Sequence, residues 1–158
     1  MTEDGQQPTV YLDTNVFIRA VEGTGETAVG PRRLIDILRR RTGIAFTSEI
    51  TLAEVLAPPQ RTDAMPLHLK RRAYLDILLW SGFIVLTPVS RDILIETATF
   101  RAKARMRLPD AIHLVTAIRG GCRYLVSADK GDFKSMPPGM SRVEPDEAGI
   151  EELLRALA

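Results

Sequence analysis

The sequence predicts an α/β fold built on a parallel sheet, and three observations carry that expectation. Short apolar runs, Val10–Leu12, Ile44–Thr47, Phe83–Leu86 and Arg123–Ser127, alternate with longer stretches of helical period. The runs lack the polar alternation of a half-solvated strand, as strands covered by helices on both sides must. Finally, acidic residues recur just beyond the runs or in the helices that follow them, at Asp13, Glu54, Asp110, Asp129 and Asp132. Ligands of open parallel sheets bind at that edge, outside the carboxyl ends of the strands. We therefore expect a central parallel sheet of four to five strands flanked by helices, in a single domain over residues 1–158 with residues 1–8 as a flexible N-terminus.

Taken in order, Val10-Tyr11-Leu12 reads as a buried strand, and Val16, Phe17 and Ile18 as the apolar face of the helix after it. Asp13 sits where the one ends and the other begins; Asp, Thr and Asn are good N-cap residues, so Asp13-Thr14-Asn15 can serve as a cap as well as a site. Glu22 to Gly30, with three glycines, reads as a surface loop, and Pro31 as the opening of the next helix. Arg39, Arg40 and Arg41 suit that helix's C-terminal dipole, and a role in contacting nucleic acid stays equally open. Ser48 is a candidate cap for a helix through Leu56, in which Glu54 is the one acid among apolar neighbours. Pro58 and Pro59 end it, and Gln60 to Pro66 reads as a loop.

A helix from Leu67 to Trp80 stops at Gly82, and Phe83–Leu86 reads as a central strand. A long helix from Ser90 to Arg105 follows; its end places Arg101 with Arg105 and Lys103 with Arg107 on adjoining faces. Pro109 suits the first position of a new helix and Asp110 its first turn. His113 lies one turn further on and reads as a core histidine rather than a ligand. After Arg123–Ser127 the turn-forming stretch Ala128–Phe133 brings Asp129 and Asp132 three residues apart. Arg142-Val143-Glu144 reads as an edge strand and Asp146 as the cap of a last helix through Leu157.

A net charge of +1 excludes a broadly basic nucleic-acid binder, so any such contact must come from local patches. Cys122 is the only cysteine, which removes intrachain disulfides and thiolate zinc sites and fits a reducing cytoplasm. The polar N-terminus is unlike a signal peptide, and no run approaches the ~18 apolar residues that span a bilayer. The expectation is a soluble cytoplasmic protein with no membrane association.

Four carboxylates at one edge, Asp13, Glu54, Asp110 and Asp129 or Asp132, would repel one another and raise one another's pKa. A hard divalent cation resolves that conflict, because Mg²⁺ and Mn²⁺ take oxygen ligands and Mg²⁺ keeps waters and binds substrate phosphates. Such an ion acidifies a bound water and stabilises charge during in-line displacement at a phosphodiester. A dehalogenase-like phosphoaspartate site fits less well, since Asp13-Thr14-Asn15 lacks the second aspartate two residues on.

The segments around Asp13 (Tyr-Leu-Asp-Thr-Asn-Val-Phe-Ile), Glu54 (Ser-Glu-Ile-Thr-Leu-Ala-Glu-Val), Asp110 (Leu-Pro-Asp-Ala-Ile-His-Leu-Val-Thr-Ala) and Asp129 (Leu-Val-Ser-Ala-Asp-Lys-Gly-Asp-Phe) resemble, in order, the motifs of PIN-domain ribonucleases. Among these the chain is most similar to VapC-type toxins of toxin-antitoxin pairs, over residues 10 to 133. The resemblance implies a PIN fold and a Mg²⁺- or Mn²⁺-dependent endoribonuclease, often a homodimer, held in check by a small antitoxin. By position it assigns Asp13, Glu54 and Asp110 to the acidic centre, with Asp129 ranked before Asp132 as the fourth member, and Asn15 and Ser127 as orienting groups. Arg101, Lys103, Arg105 and Arg107 are then candidates for holding the RNA backbone. Two further readings stay open: a housekeeping PIN nuclease without an antitoxin, and a catalytically silent PIN-like module that binds RNA or protein.

Overall fold

The computed structural model describes residues 6–58 and 64–158. It contains five strands, β1 (Val10–Leu12), β2 (Ala45–Ser48), β3 (Ile84–Thr87), β4 (Tyr124–Val126) and β5 (Ser141–Val143). They form one sheet in the order β3-β2-β1-β4-β5, every pairing parallel. The helices are α1 (Thr14–Glu22), α2 (Glu26–Leu38), α3 (Ile50–Val55), α4 (Leu67–Leu75), α5 (Arg91–Lys103), α6 (Leu108–Arg119) and α7 (Glu147–Leu157).

Alternation along β1 divides the core. Val10 and Leu12 point to a face packed with Val16, Phe17, Leu34, Leu38 and Leu153 from α1, α2 and α7. Tyr11 points to the opposite face, among Ala111, Leu114 and Ala117 of α6 and Phe133. All three β1 residues are fully buried, which is why this strand carries no polar alternation. The strand order also fixes where a ligand can sit. From β1 the chain moves outward to β2 and β3 on one side, then returns to the other side for β4, so a crevice opens between the carboxyl ends of β1 and β4.

Several sequence expectations need correction. Residues 26–30 are the first turns of α2 and not loop, and Pro31 lies inside that helix. A helix can begin there because Gly25 adopts φ 65 ahead of it, and the Thr27 hydroxyl donates to Thr24 O at 3.3 Å. Gly30 has a packing reason: a Cβ there would meet Pro145 O at 2.8 Å. The helix expected over Leu67–Trp80 becomes a wider π-helical turn at Asp76–Trp80. The strand expected to be central, β3, is an edge strand, with Val85 38% exposed; an apolar run cannot by itself tell an edge from a centre.

α5 ends at Lys103, where Ala104 is extended (φ −119, ψ 125), so Arg105 and Arg107 share no helical face with Arg101 and Lys103. Leu108, Pro109 and Asp110 begin α6 as expected, and Asp146 caps α7, accepting from Gly149 N at 2.7 Å. The residues expected to be a flexible N-terminus lie partly outside the described residues, as do Pro59 and much of the expected loop to Pro66. Gln7, which is described, reaches Leu157 O at 3.5 Å. Among the described residues no helix is long and apolar enough to cross a membrane.

Candidate active site

Asp13 ends β1 and caps α1. Its backbone N–H donates to Val126 O on β4, and its Oδ1 accepts from Thr14 N at 2.8 Å. The other oxygen, Oδ2, accepts from Ser127 Oγ at 2.6 Å and from Asn15 Nδ2 at 2.8 Å. Asn15 Oδ1 accepts from Ala128 N at 3.1 Å, and Ser127 Oγ accepts from Asp129 N at 3.0 Å. Asn15 and Ser127 therefore tie the ends of β1 and β4 together and fix a carboxylate that is only 4% exposed. Cap and site share one carboxylate: Oδ1 satisfies the α1 terminus, and Asn15 and Ser127 fix the other oxygen.

Glu54 arrives from α3. Its Oε1 accepts from Thr14 Oγ1 at 2.9 Å and from His113 Nε2 at 2.7 Å. Burial pushes its pKa up, but the hydrogen bonds from His113 and Thr14 outweigh that and leave it below the ordinary glutamate value. His113 is fully buried and its tautomer follows from its partners. Ser48 N donates to Tyr11 Oη at 3.0 Å, so the Tyr11 hydroxyl proton is available to His113 Nδ1, 2.6 Å away. With Nδ1 accepting, the ring proton sits on Nε2 and is donated to Glu54. Asp13 Oδ1 lies 3.6 Å from the same nitrogen.

His113 is thus a core histidine, as the sequence suggested, and also the group that holds Glu54. The sequence reading missed Tyr11 and gave Thr14 only as part of the capping turn; a hydroxyl on an otherwise apolar strand was the available signal. Removing the Tyr11 hydroxyl strands both Ser48 N–H and His113 Nδ1 in the core. Tyr11→Phe should cost about 1–3 kcal/mol in urea unfolding, and an unchanged midpoint would show that this chain of bonds contributes nothing.

Asp110, Asp129 and Asp132 form the tightest acidic group: one carboxylate oxygen from each lies within 4.8 Å of the others. Asp110 comes from the first turn of α6, the other two from the turn after β4. Asp129 Oδ1 accepts from Gly131 N at 2.9 Å and Asp132 N at 3.1 Å, so this residue builds the turn that presents its neighbour. Both Asp129 and Asp132 are in the group, so the choice between them that the sequence left ranked becomes a difference in second role.

Crowding among these acids is relieved in two ways. Arg107, itself largely exposed, lies over the acids, its guanidinium 2.9 Å from Asp110, 2.7 Å from Asp129 and 3.0 Å from Asp132. Asp132 first, then Asp110 and Asp129, hold its pKa above the ordinary arginine value. Asp110 also holds a proton more readily than an ordinary aspartate: burial, then its hydrogen bond to Asp132 and the nearby charge of Asp13, push its pKa to about 7 against the pull of Arg107. The matching hydrogen bond from Asp110 lowers the pKa of Asp132.

Of the other expected RNA contacts, Arg101 donates to Met106 O at 3.1 Å, while Lys103 and Arg105 are exposed. Arg107 is the one cation of the four that the structure brings into the acidic centre.

The profile of the PIN domain matches residues 10–137 of this chain. The chain belongs to the PIN domain family. Similar solved structures include a toxin-antitoxin complex from Klebsiella pneumoniae, at 25% identity and TM-score 0.61, covering 88% of this chain and 99% of that one. VapBC2 from Rickettsia felis, bound to a DNA fragment from its promoter, is similar at 17% identity and TM-score 0.62, covering 86% and 98%. VapC20 from Mycobacterium tuberculosis, a sarcin-ricin loop cleaving toxin, is similar at 14% identity and TM-score 0.62, covering 82% and 100%. At the lower two identities the likeness shows the fold alone. No curated protein sequence gives a significant match. In this PIN domain Asp110, Asp129 and Asp132, from α6 and the turn after β4, make one group, while Asp13, which follows β1, and Glu54 of α3 lie outside it and meet at His113 Nε2.

Proposed function

We propose that the protein is a divalent-metal-dependent endoribonuclease and the toxin of a type II toxin-antitoxin pair. The convergence of Asp110, Asp129 and Asp132, beside a buried and fully oriented Asp13, carries this reading. The donor set suits a hard cation. It offers only carboxylate oxygens, with no thiolate or imidazole in the group, and it is crowded enough to raise the pKa of Asp110 and pair with an arginine. Asp110, Asp129 and Asp132 would hold Mg²⁺ or Mn²⁺, with Asp13 and Glu54 beside them. When bound, such an ion supplies a water of lowered pKa and charge stabilisation for the phosphodiester.

The chain's own residues prepare the site for that chemistry. Asn15, Ser127 and the α1 N-terminus hold Asp13 in one orientation. Thr14 and His113 keep Glu54 ionised, able to accept a proton from a polarised water. Arg107 brings a positive charge to the place where a scissile phosphate would bind. The antitoxin and a second copy of the chain are the expected protein partners, and exposed apolar side chains on α4, the π-helical turn and α5, including Leu69, Trp80 and Ile95, give them surface to cover.

Incubation of the purified protein with structured RNAs should give cleavage in Mg²⁺ or Mn²⁺ that a chelator stops. Intact RNA across tRNA, rRNA and mRNA substrates in both metals would overturn the nuclease reading. Cleavage without any co-purifying or co-encoded small inhibitor would leave the nuclease and remove the toxin.

A further inference from the structure

A cleft of about 640 Å³ adjoins the acidic centre between the C-terminal end of α5 and the chain after β4. Its walls are apolar, from Phe100, Ala104, Met106, Met136 and Pro137, and Arg105 and Lys134 stand exposed at its rim. Asp132 is its single acidic wall residue, and that carboxylate already faces Arg107 in the centre. We infer that this cleft binds one unpaired nucleobase of the RNA strand, next to the phosphate held at the acidic centre. The inference rests on the RNA reading above and adds to it the place where sequence selectivity arises.

Three features favour a base over another occupant. First, the volume lies within the range of small-ligand sites and admits a nucleotide, while a paired duplex could not insert between the end of a helix and a Pro-containing loop. Second, the lining suits a flat π-system: an aromatic ring, two polarisable thioethers and a proline ring form the walls, and single-stranded RNA is recognised by stacking of splayed bases on such groups. Third, the charges match. Arg105 and Lys134 flank the apolar floor where the phosphates on either side of a buried base would lie.

The cleft is also continuous with the site. A second depression, of about 610 Å³, shares Arg105 and Met106 with it and adds Arg101 and Arg107. A cationic path therefore leads from Arg107 in the centre, past Arg105, to the apolar cleft. The break of α5 at Ala104 creates this arrangement: had the helix continued, the residues from Arg105 to Arg107 would not span the gap between the helix end and the acidic group.

The test uses a pool of random-sequence single-stranded RNA with the full-length native protein, Ala104→Trp, which fills the cleft, and Met136→Ala, which removes part of its wall. Binding is read in chelator and cleavage in Mn²⁺, each by sequencing. The native protein should show a base preference at one position flanking the cut. Both variants should lose that preference and bind about tenfold more weakly, the scale of one lost stacking contact. If a variant fails to fold, the native protein supplies the answer: an oligonucleotide abasic at the preferred position should bind about tenfold more weakly than the intact one.

Equal preference and affinity in native and folded variants, or equal binding of abasic and intact RNA, would overturn the subsite. Cleavage by the native protein with no positional preference would overturn it as well while leaving the nuclease reading in place. Base-selective binding without cleavage would do the opposite, and no RNA binding at all would overturn both.

Discussion

Asp110→Asn and Glu54→Gln should each lower metal-dependent RNA cleavage by at least about a hundredfold, a loss of roughly 2.7 kcal/mol or more of transition-state stabilisation. Both keep nearly the shape of the native side chain and remove its charge. Asp13→Asn should lose as much activity and destabilise the protein besides. The native carboxylate accepts from Thr14 N, Asn15 Nδ2 and Ser127 Oγ with both of its oxygens, whereas an asparagine offers one oxygen and turns its amide towards groups that are themselves donors. Glu54 accepts both of its bonds through Oε1, so a glutamine can retain them and should stay near native stability. Asp129→Asn should be more damaging than Asp132→Asn, because Asp129 also holds the turn that carries Asp132. Cleavage rates in excess Mn²⁺, set beside urea unfolding, separate the two effects. Near-native cleavage by any one variant would remove that residue from the centre.

In the absence of metal, stability should fall as the pH rises from about 4 to about 7, by on the order of 2–4 kcal/mol from Asp110 alone. The sign follows from proton binding. With its folded pKa raised to about 7, Asp110 holds a proton across this window that the unfolded chain has already released, so the folded state loses ground as that proton is removed. Asp132 and Glu54, whose folded values are lowered, contribute in the opposite sense, but their stabilisation is lost only at pH below their ordinary values and so falls outside the window. Asp110→Asn should flatten the slope and leave the metal-free protein more stable than native above pH 7.

Metal should act in the other direction. Because a cation must displace the Asp110 proton and the Arg107 guanidinium, the Mg²⁺-induced rise in melting temperature should grow with pH and shrink in Asp110→Asn. At a hundredfold excess over its Kd a folded-state ligand adds about 2.7 kcal/mol, and the mutant should gain less. Thermal melts with chelator and with Mg²⁺ at pH 5, 6, 7 and 8 provide the measurement. A flat metal-free profile, together with equal Mg²⁺ shifts in both proteins, would show that these carboxylates do not share a site.

The acidic positions were legible in the sequence because each breaks a local pattern. Asp13 ends an apolar strand run, Glu54 interrupts an apolar helix, and Asp110 follows Leu108-Pro109 at the start of a helix that is then apolar to Ile118 but for His113 and Thr116. Strand-helix alternation likewise implied a parallel sheet, since parallel neighbours require a crossover between them. Periodicity carries no information about distance along a sheet, and there the sequence was silent: the edge position of β3 and the β1-β4 crevice depend on which strands pair, a matter of long-range packing. Tertiary structure also decided the fate of Arg107. Local spacing placed it on a helix with Arg101, Lys103 and Arg105, but α5 stops at Lys103, and Arg107 pairs with Asp110 three residues on and with Asp129 and Asp132 from the distant turn after β4. His113 shows the same division, since its burial follows from an apolar helix, whereas its bonds to Tyr11 and Glu54 exist only because β1, α3 and α6 meet.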